Sequence, residues 1–202
     1  MKKVVDYFMT PVSPFTYMGH QRLRDICARH GAQIQLRVMD LGKVFPVSGG
    51  LALKDRSAQR KAYRMMELKR WRTYLDVPLT LEPKFFPVSA EPASTVILAV
   101  LEHHGAAVAL DVAGDCLRAI WAEDRDVSDR ATLGEILSAR SLDSASLLAH
   151  AASAEVAARY IQHSQEAIAR GIFGAPTSIY RDELFWGQDR LDFLDRALTI
   201  ES

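Results

Sequence analysis

Apolar residues near the N-terminus follow the period of a strand, then of a helix, then of a strand again. Residues 3–9 form an almost continuous apolar run, which is typical of a buried strand. Pro14–Arg29 places its apolar residues on one helical face, and Gly31 follows as a helix terminator. Residues 33–41 alternate apolar and polar side chains and are predicted as a second strand. These segments predict a βαβ unit with a right-handed crossover.

The pattern then stays helical through the middle of the chain. Ser128 and Ser153 precede two of these helices and are expected to cap them. Gly105 and Gly171 follow apolar helical faces and are expected to end helices there. Helices are predicted over residues 55–75, 91–104, 106–121, 129–140, 143–150 and 154–170.

The period changes once more near the C-terminus. Thr177–Tyr180 and Glu183–Trp186 are predicted as the two strands of a hairpin that turns at Arg181-Asp182. The last helix is predicted to open at Asp189, with Asp192 three residues later as a weaker form of the capping box.

This order of elements predicts an α/β fold, namely a thioredoxin-like βαβ…ββα sheet interrupted by an all-helical insertion domain. Residues 1–44 and 172–202 are predicted to form the thioredoxin-like domain. Residues 45–171 are predicted to form the helical insertion domain.

Charge and cysteine content exclude several functions. The chain has 25 basic and 25 acidic residues, so no long-range field attracts nucleic acid or an anionic membrane. The basic residues of segment 54–72 have helical spacing, which indicates a solvated helix face. Cys27 and Cys116 form neither a C-x-x-C motif nor a zinc-ligand spacing, and no metal site is expected. Cys27 lies on an apolar helix face, which predicts a buried, reduced thiol.

The sequence also predicts a location. Two lysines at the N-terminus precede no long uncharged run, so this segment is not a signal peptide. No apolar run reaches the roughly 18–20 residues that span a bilayer. We therefore expect a cytoplasmic protein without a membrane partner.

Ser13 is the residue that points most directly to chemistry. Pro14 suits the first position of a helix, which makes Ser13 the predicted N-cap. Its hydroxyl would lie at the positive end of the helix, beside free backbone N–H groups that stabilise an anion such as a thiolate. Ser13 could also be a cap and nothing more, since serine is among the commonest caps.

A second candidate feature is the turn Gly174-Ala175-Pro176-Thr177, immediately before the predicted hairpin. A proline at this place in a thioredoxin-like sheet is typically cis, and proline is the residue for which a cis bond costs little. The turn would leave the backbone N–H and C=O of Ala175 free to pair with an extended ligand.

These segments resemble the DsbA-like branch that holds 2-hydroxychromene-2-carboxylate isomerase and kappa-class glutathione transferase. The resemblance rests on Ser13-Pro14-Phe15-Thr16-Tyr17, the Gly174-Ala175-Pro176-Thr177 turn and Phe185-Trp186-Gly187-Gln188-Asp189-Arg190-Leu191. Arg70-Trp71 and Trp121-Ala122-Glu123-Asp124 also fall in similar places. Together the motifs span nearly the whole chain.

The resemblance implies that glutathione is the cofactor. Ser13 would be the catalytic residue, because its hydroxyl would hydrogen-bond the glutathione sulfur and favour the thiolate. The backbone of Ala175 would pair with the cysteinyl part, while Gln188 and Asp189 would receive the γ-glutamyl group. The implied glutathione-binding residues are Ser13, Ala175, Pro176, Trp186, Gly187, Gln188 and Asp189.

The substrate half of the site departs from the pattern of the related isomerases. The related isomerases carry an aspartate at the position of Thr10. They also carry a lysine at about the position of Phe45 and an Asn-Arg pair at about the position of Lys54-Asp55. If the alignment contains a gap of one residue, Lys43 and Arg56 are candidates to replace that lysine and that arginine. A carboxylate-bearing aromatic substrate needs a cation, and Phe85 and Phe86 could stack on its ring. The candidate substrate-binding residues are Lys43, Phe45, Lys54, Arg56 and Lys84.

The resemblance therefore implies a glutathione-dependent isomerase of aromatic catabolism that acts by reversible thiolate addition to a conjugated aromatic substrate. It also implies a homodimer. One alternative is a kappa-like glutathione transferase, which segment 83–86 resembles. Another is a redox-inactive module that binds peptides or ligands, since Ser13 and Thr16 stand where disulfide oxidoreductases carry two cysteines.

Overall fold

Four strands form one mixed sheet in the order β2-β1-β3-β4 in the computed structural model, which describes residues 2–200. The strands are β1 (Val4–Met9), β2 (Gln33–Val38), β3 (Thr177–Tyr180) and β4 (Glu183–Trp186). β1 pairs with β2 in parallel and with β3 in antiparallel orientation, and β3 and β4 form a hairpin.

Between residues 2 and 200 the chain forms eight α-helices and two short 3₁₀ helices. The α-helices are α1 (Pro14–Arg29), α2 (Leu41–Ser48), α3 (Ala58–Leu75), α4 (Glu91–Trp121), α5 (Arg130–Ala139), α6 (Ser144–Ala151), α7 (Ala154–Ala169) and α8 (Leu191–Thr199). The 3₁₀ helices are Leu53–Asp55 and Gln188–Arg190.

This order confirms the predicted thioredoxin-like α/β fold with its helical insertion between β2 and β3. The bounds predicted for α1 and for the hairpin agree with the structure. The boundaries proposed at residues 44/45 and 171/172 stay a prediction, and residues 1, 201 and 202 lie outside the described residues.

The predicted second strand is wrong at its C-terminal end. β2 ends at Val38, and α2 begins only three residues later at Leu41. The cause is Asp40, whose carboxylate accepts a hydrogen bond of 2.7 Å from the backbone N–H of Gly42 and so caps α2. The apolar residues Met39 and Leu41 on either side of Asp40 conceal this cap in the sequence.

Four predicted helix starts are also wrong: α3 begins at Ala58 instead of residue 55, α6 begins at Ser144 instead of residue 143, and the other two are those of α5 and α8. Asp129 caps α5 by accepting from the N–H of Thr132 at 2.9 Å, while the hydroxyl of Ser128 donates to Asp126 instead. The last α-helix begins at Leu191 because residues 188–190 form a 3₁₀ turn first.

α4 is the helix on which the helical region packs. Gly105 interrupts it with φ 79° and ψ 177°, at the place where the sequence predicted a break between two helices. By length and hydropathy α4 is the one helix of the described residues that could cross a membrane, which the sequence analysis did not expect. Its contacts are those of a core helix, because it packs against α1, α5, α6, α7 and β2.

The sheet carries a hydrophobic cluster on each face. Val5, Tyr7 and Met9 belong to the larger cluster, which includes residues of α1, α4 and α8. Phe8 belongs to the smaller one, with Val44 of α2 and other residues. Each large side chain buried in this way contributes about 1.5–3 kcal/mol.

A buried polar pair links β1 to α1 and α4. Nδ1 of His20 lies 3.2 Å from the hydroxyl of Tyr7, and Nε2 lies 2.9 Å from the carbonyl oxygen of Leu110. A neutral ring satisfies both partners, with Nε2–H donating to Leu110 and Nδ1 accepting from Tyr7. Burial lowers the pKa of His20 to about 4 and that of buried His163 to about 4.

We predict that the unfolding free energy falls as the pH drops from about 6.5 towards 4. The unfolded chain protonates each histidine near its ordinary pKa of about 6.5, whereas the folded chain does so only near 4. The loss approaches about 1.4 kcal/mol per pH unit for each histidine. Urea unfolding of wild type and His20→Gln across this range checks it. Equal pH slopes in the two proteins would contradict this role of His20.

Candidate active site

Strand pairing brings the two candidate motifs to one edge of the sheet. Phe8 of β1 pairs with Thr177 of β3, so the segment after β1 and the segment before β3 meet there. The hydroxyl of Ser13 lies 3.5 Å from the carbonyl oxygen of Ala175, at the outer limit of a hydrogen bond. The geometry thus joins the two motifs that the sequence places 162 residues apart.

Ser13 is the N-cap of α1, as predicted. Its Oγ accepts a hydrogen bond of 3.2 Å from the backbone N–H of Thr16, and the side chain is buried. Pro14 occupies the first helical position. Ser13 therefore holds a hydroxyl proton at the positive end of the α1 dipole, next to the Ala175 carbonyl.

The prolyl bond between Ala175 and Pro176 is cis, as predicted. The carbonyl oxygen of Pro176 accepts a hydrogen bond of 2.8 Å from the N–H of Gly187. The hydroxyl of Thr177 donates to the carbonyl oxygen of Gly174 at 2.7 Å. These bonds fix the turn from both sides and leave Ala175 half-buried.

The indole ring of Trp186 covers this turn. A Cβ atom added at Gly174 would lie 2.4 Å from Nε1 of Trp186, so only glycine fits beneath the ring. The outer side of the indole contacts Phe173, with ring centroids 4.8 Å apart. Both rings are partly exposed, at 43% for Phe173 and 50% for Trp186. Two partly exposed aromatic rings therefore border the turn.

The Gly187-Gln188-Asp189 segment closes the same region. Gly187 has a φ of 94°, and a Cβ atom there would meet the Asp189 carboxylate at 2.4 Å. Asp189 is exposed and pairs with Arg190 at 2.6 Å. Gln188 is buried, and its Oε1 accepts from Arg22 at 2.7 Å. The Asp189 carboxylate is therefore accessible to a ligand, whereas the Gln188 side chain anchors the turn to α1.

The chain's own cysteines lie away from this chemistry. Cys27 and Cys116 are both free and buried. Burial raises the pKa of each thiol to about 12. Neither therefore supplies a thiolate near neutral pH, as expected for buried structural cysteines.

The structure spreads the five candidate substrate-binding residues over three segments. Lys43 and Phe45 lie on α2, which packs against α7. Lys54 is exposed, and Arg56 is half-buried with its Nε donating to the carbonyl oxygen of Leu51 at 2.9 Å. Lys84 is exposed, with Nζ 5.1 Å from the centre of the Phe85 ring. Their substrate contacts stay a prediction.

One cation of the site region was missed. The guanidinium carbon of Arg64 lies 5.5 Å from the centre of the Phe86 ring, which in turn packs on the buried Trp121. Arg64 is half-buried, so the expectation that segment 54–72 presents only solvated basic residues is wrong at this position. Burial and the nearby charge of Arg56 lower the pKa of Arg64 to about 10, and it stays protonated at neutral pH.

We predict that Gly174→Ala destabilises the protein by about 1–3 kcal/mol, because the new methyl group collides with the indole ring of Trp186. The loss should be smaller when the same change is made in a Trp186→Ala background. Urea unfolding of the four proteins of this cycle measures the coupling. Additive losses would show that the indole does not cover Gly174.

Comparison with known proteins agrees with this architecture. Residues 4–199 match the DSBA-like thioredoxin domain family. A 2-hydroxychromene-2-carboxylate isomerase from Sphingobium xenophagum is 31% identical over 98% of this chain and 99% of its own length. A second protein of that name, from Pseudomonas putida, is 29% identical over 96% of this chain and 94% of its own.

A solved structure of a 2-hydroxychromene-2-carboxylate isomerase superposes on the chain with a TM-score of 0.82 and 27% identity. The match covers 97% of this chain and 94% of that one. Fold, length and sequence thus agree with these enzymes from end to end. The chain therefore belongs to the DSBA-like thioredoxin domain family and, within it, to the family of the 2-hydroxychromene-2-carboxylate isomerases.

Proposed function

We propose that this protein is a glutathione-dependent isomerase that acts on a 2-hydroxychromene-2-carboxylate or a related conjugated aromatic acid. The observation that carries the proposal is the position of the Ser13 hydroxyl at the start of α1, 3.5 Å from the Ala175 carbonyl of the cis-proline turn. The names of the relatives support the isomerase class. A cytoplasmic location and a homodimer, which the resemblance implies, belong to the same proposal.

The α1 N-terminus suits a thiolate. Its free N–H groups and its dipole favour an anion within the first turn. The hydrogen bond from Ser13 to Ala175 is long, so the hydroxyl can turn to a sulfur anion and make a shorter, charge-assisted bond. The thiol must come from outside the chain, since Cys27 and Cys116 are buried. Glutathione meets that need.

The residues around the cis-proline turn are suited to bind the rest of the glutathione tripeptide. The half-buried backbone of Ala175 can pair with the cysteinyl residue as a strand edge does. The exposed carboxylate of Asp189 can accept a hydrogen bond from the γ-glutamyl ammonium group. Gly187 and Trp186 border the same groove, with the indole ring beside the turn.

When bound at Ser13 and Ala175, glutathione would supply a thiolate that adds reversibly to the conjugated double bond of the substrate. The electron pair of that bond would move to the conjugated carbonyl and return when the thiolate leaves, so the bond could rotate in between while the ring is open. Ser13 donates a hydrogen bond to the sulfur in the thiolate states. Nothing is oxidised or reduced, and glutathione is regenerated.

We predict that Ser13→Ala lowers glutathione-dependent turnover by about 10²-fold, the effect of losing one donor to a developing anion. The matched control is Ser153→Ala, since Ser153 caps α7 with the same 3.2 Å contact that Ser13 makes at α1. Each change removes an N-cap and should cost about 1 kcal/mol of stability. Equal turnover in the two variants would contradict the role of Ser13.

We predict that glutathione accelerates conversion of the substrate and is recovered unchanged. Product analysis by chromatography, with a thiol assay at the start and the end, measures both quantities. Consumption of one glutathione per product would identify a kappa-like transferase instead. Binding of extended peptides without binding of glutathione would identify a peptide-binding module.

A further inference from the structure

The half-buried arginines of this chain divide into two groups. Five of the seven among residues 2–200 pair with a carboxylate, and two do not. The paired ones are Arg22 with Asp192, Arg24 with Asp111, Arg37 with Glu166, Arg125 with Glu135 and Arg170 with Asp6. The two others are Arg56 and Arg64, and the positive charge of Arg56 contributes to the lowered pKa of Arg64.

The contacts of these two arginines leave their charges uncompensated. Arg56 donates from Nε to the Leu51 carbonyl at 2.9 Å, and a carbonyl carries no net charge. Arg64 has Met65 Sδ at 3.9 Å from one nitrogen, which is a weak acceptor. Its planar group lies over the Phe86 ring. No carboxylate lies within ion-pair distance of either guanidinium in the part of the chain that the structure describes.

Two neighbouring, partly desolvated positive charges are unfavourable for the folded protein. Like charges repel, and burial penalises the charged form of each group. Such an arrangement is stable only if packing elsewhere supports it, and it attracts an anionic ligand that relieves both effects. The stacking of Arg64 on Phe86 holds the guanidinium in one orientation before any ligand arrives.

Arg64 lies on α3, which packs against α1, the helix whose N-cap is Ser13. Arg56 lies just before α3, at the end of the 3₁₀ helix Leu53–Asp55. Tyr17, in the first turn of α1, donates to the Pro78 carbonyl at 2.7 Å and so holds the loop after α3 in place. The same loop carries Phe86, which belongs to the hydrophobic cluster of Val12 and Phe15.

We infer that Arg64, with Arg56 beside it, binds the carboxylate of the aromatic substrate while Phe86 supports both the guanidinium and the aromatic ring. The inference rests on the proposed function and names the anion subsite of the same site. A guanidinium in a cation–π contact keeps N–H groups free, and its planar fork matches both oxygens of a carboxylate. Lys43, Lys54 and Lys84 are exposed, so a carboxylate gains less from them.

The inference accounts for a departure noted in the sequence. The related isomerases carry an Asn-Arg pair near Lys54-Asp55, where this chain has no asparagine and its arginine, Arg56, comes one residue later. Arg64 lies farther along the chain, on α3, and reaches the Phe86 ring. In the proposed subsite, α3 thus adds the charge of Arg64 to that of Arg56.

The test compares the binding of benzylidene pyruvate with that of its methyl ester, by calorimetry in the presence of glutathione. Wild type should bind the acid more tightly, and Arg64→Gln should lose about 10- to 100-fold of that affinity while the ester is unaffected. Arg64→Lys should recover part of the loss because it keeps the charge but not the planar edge. Lys69→Gln, at an exposed position on the same helix, should leave both affinities unchanged.

The thermal midpoint gives a second readout. Arg64→Gln should unfold at the same temperature as wild type or higher, because an unpaired charge has been removed. An unchanged affinity of Arg64→Gln for the acid, or a wild type without preference for the acid over the ester, would overturn the inference. If the acid binds through Arg64 but no isomer forms with glutathione, the subsite stands and the proposed function fails.

Discussion

The pairing of β1 with β3 is the constraint from which the rest of the site follows. Their register, with Phe8 opposite Thr177, brings residues from the two ends of the chain to one edge of the sheet. As a result Ser13 lies next to Ala175, although no covalent bond or ion pair joins the two residues. β4, the hairpin partner of β3, places Trp186 over the turn. The backbone N–H of Gly187 donates a hydrogen bond to the carbonyl oxygen of Pro176. Without that register, neither the serine nor the turn would form a site.

The chain presents two kinds of positive potential, and they suit two different anions. The α1 N-terminus supplies oriented N–H groups and the Ser13 hydroxyl, which suit a compact anion such as a sulfur. The Arg56–Arg64 pair supplies full charges with a planar edge, which suits a carboxylate. The chain contributes no accessible thiol, since Cys27 and Cys116 are buried. A site built in this way needs an external nucleophile and an acidic substrate, and the proposed reaction uses both.

Local signals explain what could be predicted from the sequence. Pro14 after Ser13 marks a helix start, and Pro176 before an apolar strand marks the turn, because proline restricts φ and permits a cis bond wherever it occurs. The signal at Asp40 is equally local, but the apolar residues Met39 and Leu41 on either side of it conceal the cap of α2. The predicted start of α5 is one residue too early. Ser128 and Asp129 are both good N-cap residues, and only the three-dimensional structure shows that Asp129 is the cap.

The anion subsite could not be predicted in the same way. Arg64 is one of several basic residues on α3, and its composition and spacing match those of a solvated face. What distinguishes it is a missing partner and an aromatic neighbour, Phe86, that lies 22 positions away in the sequence. Both properties depend on the tertiary structure. The half of the site that the sequence could not predict is therefore the half whose chemistry depends on residues distant in the sequence.

The central claim is that glutathione binds as a thiolate at the start of α1. It is tested most directly by titrating the ultraviolet absorbance of the thiolate in the complex with the protein. The account predicts a midpoint at least about one pH unit below that of free glutathione, which corresponds to roughly 1.4 kcal/mol of preferential thiolate stabilisation. Burial raises the pKa of Cys27 and Cys116 to about 12, so their thiols do not interfere. Glutathione that is bound by calorimetry but titrates at its free value would contradict the account.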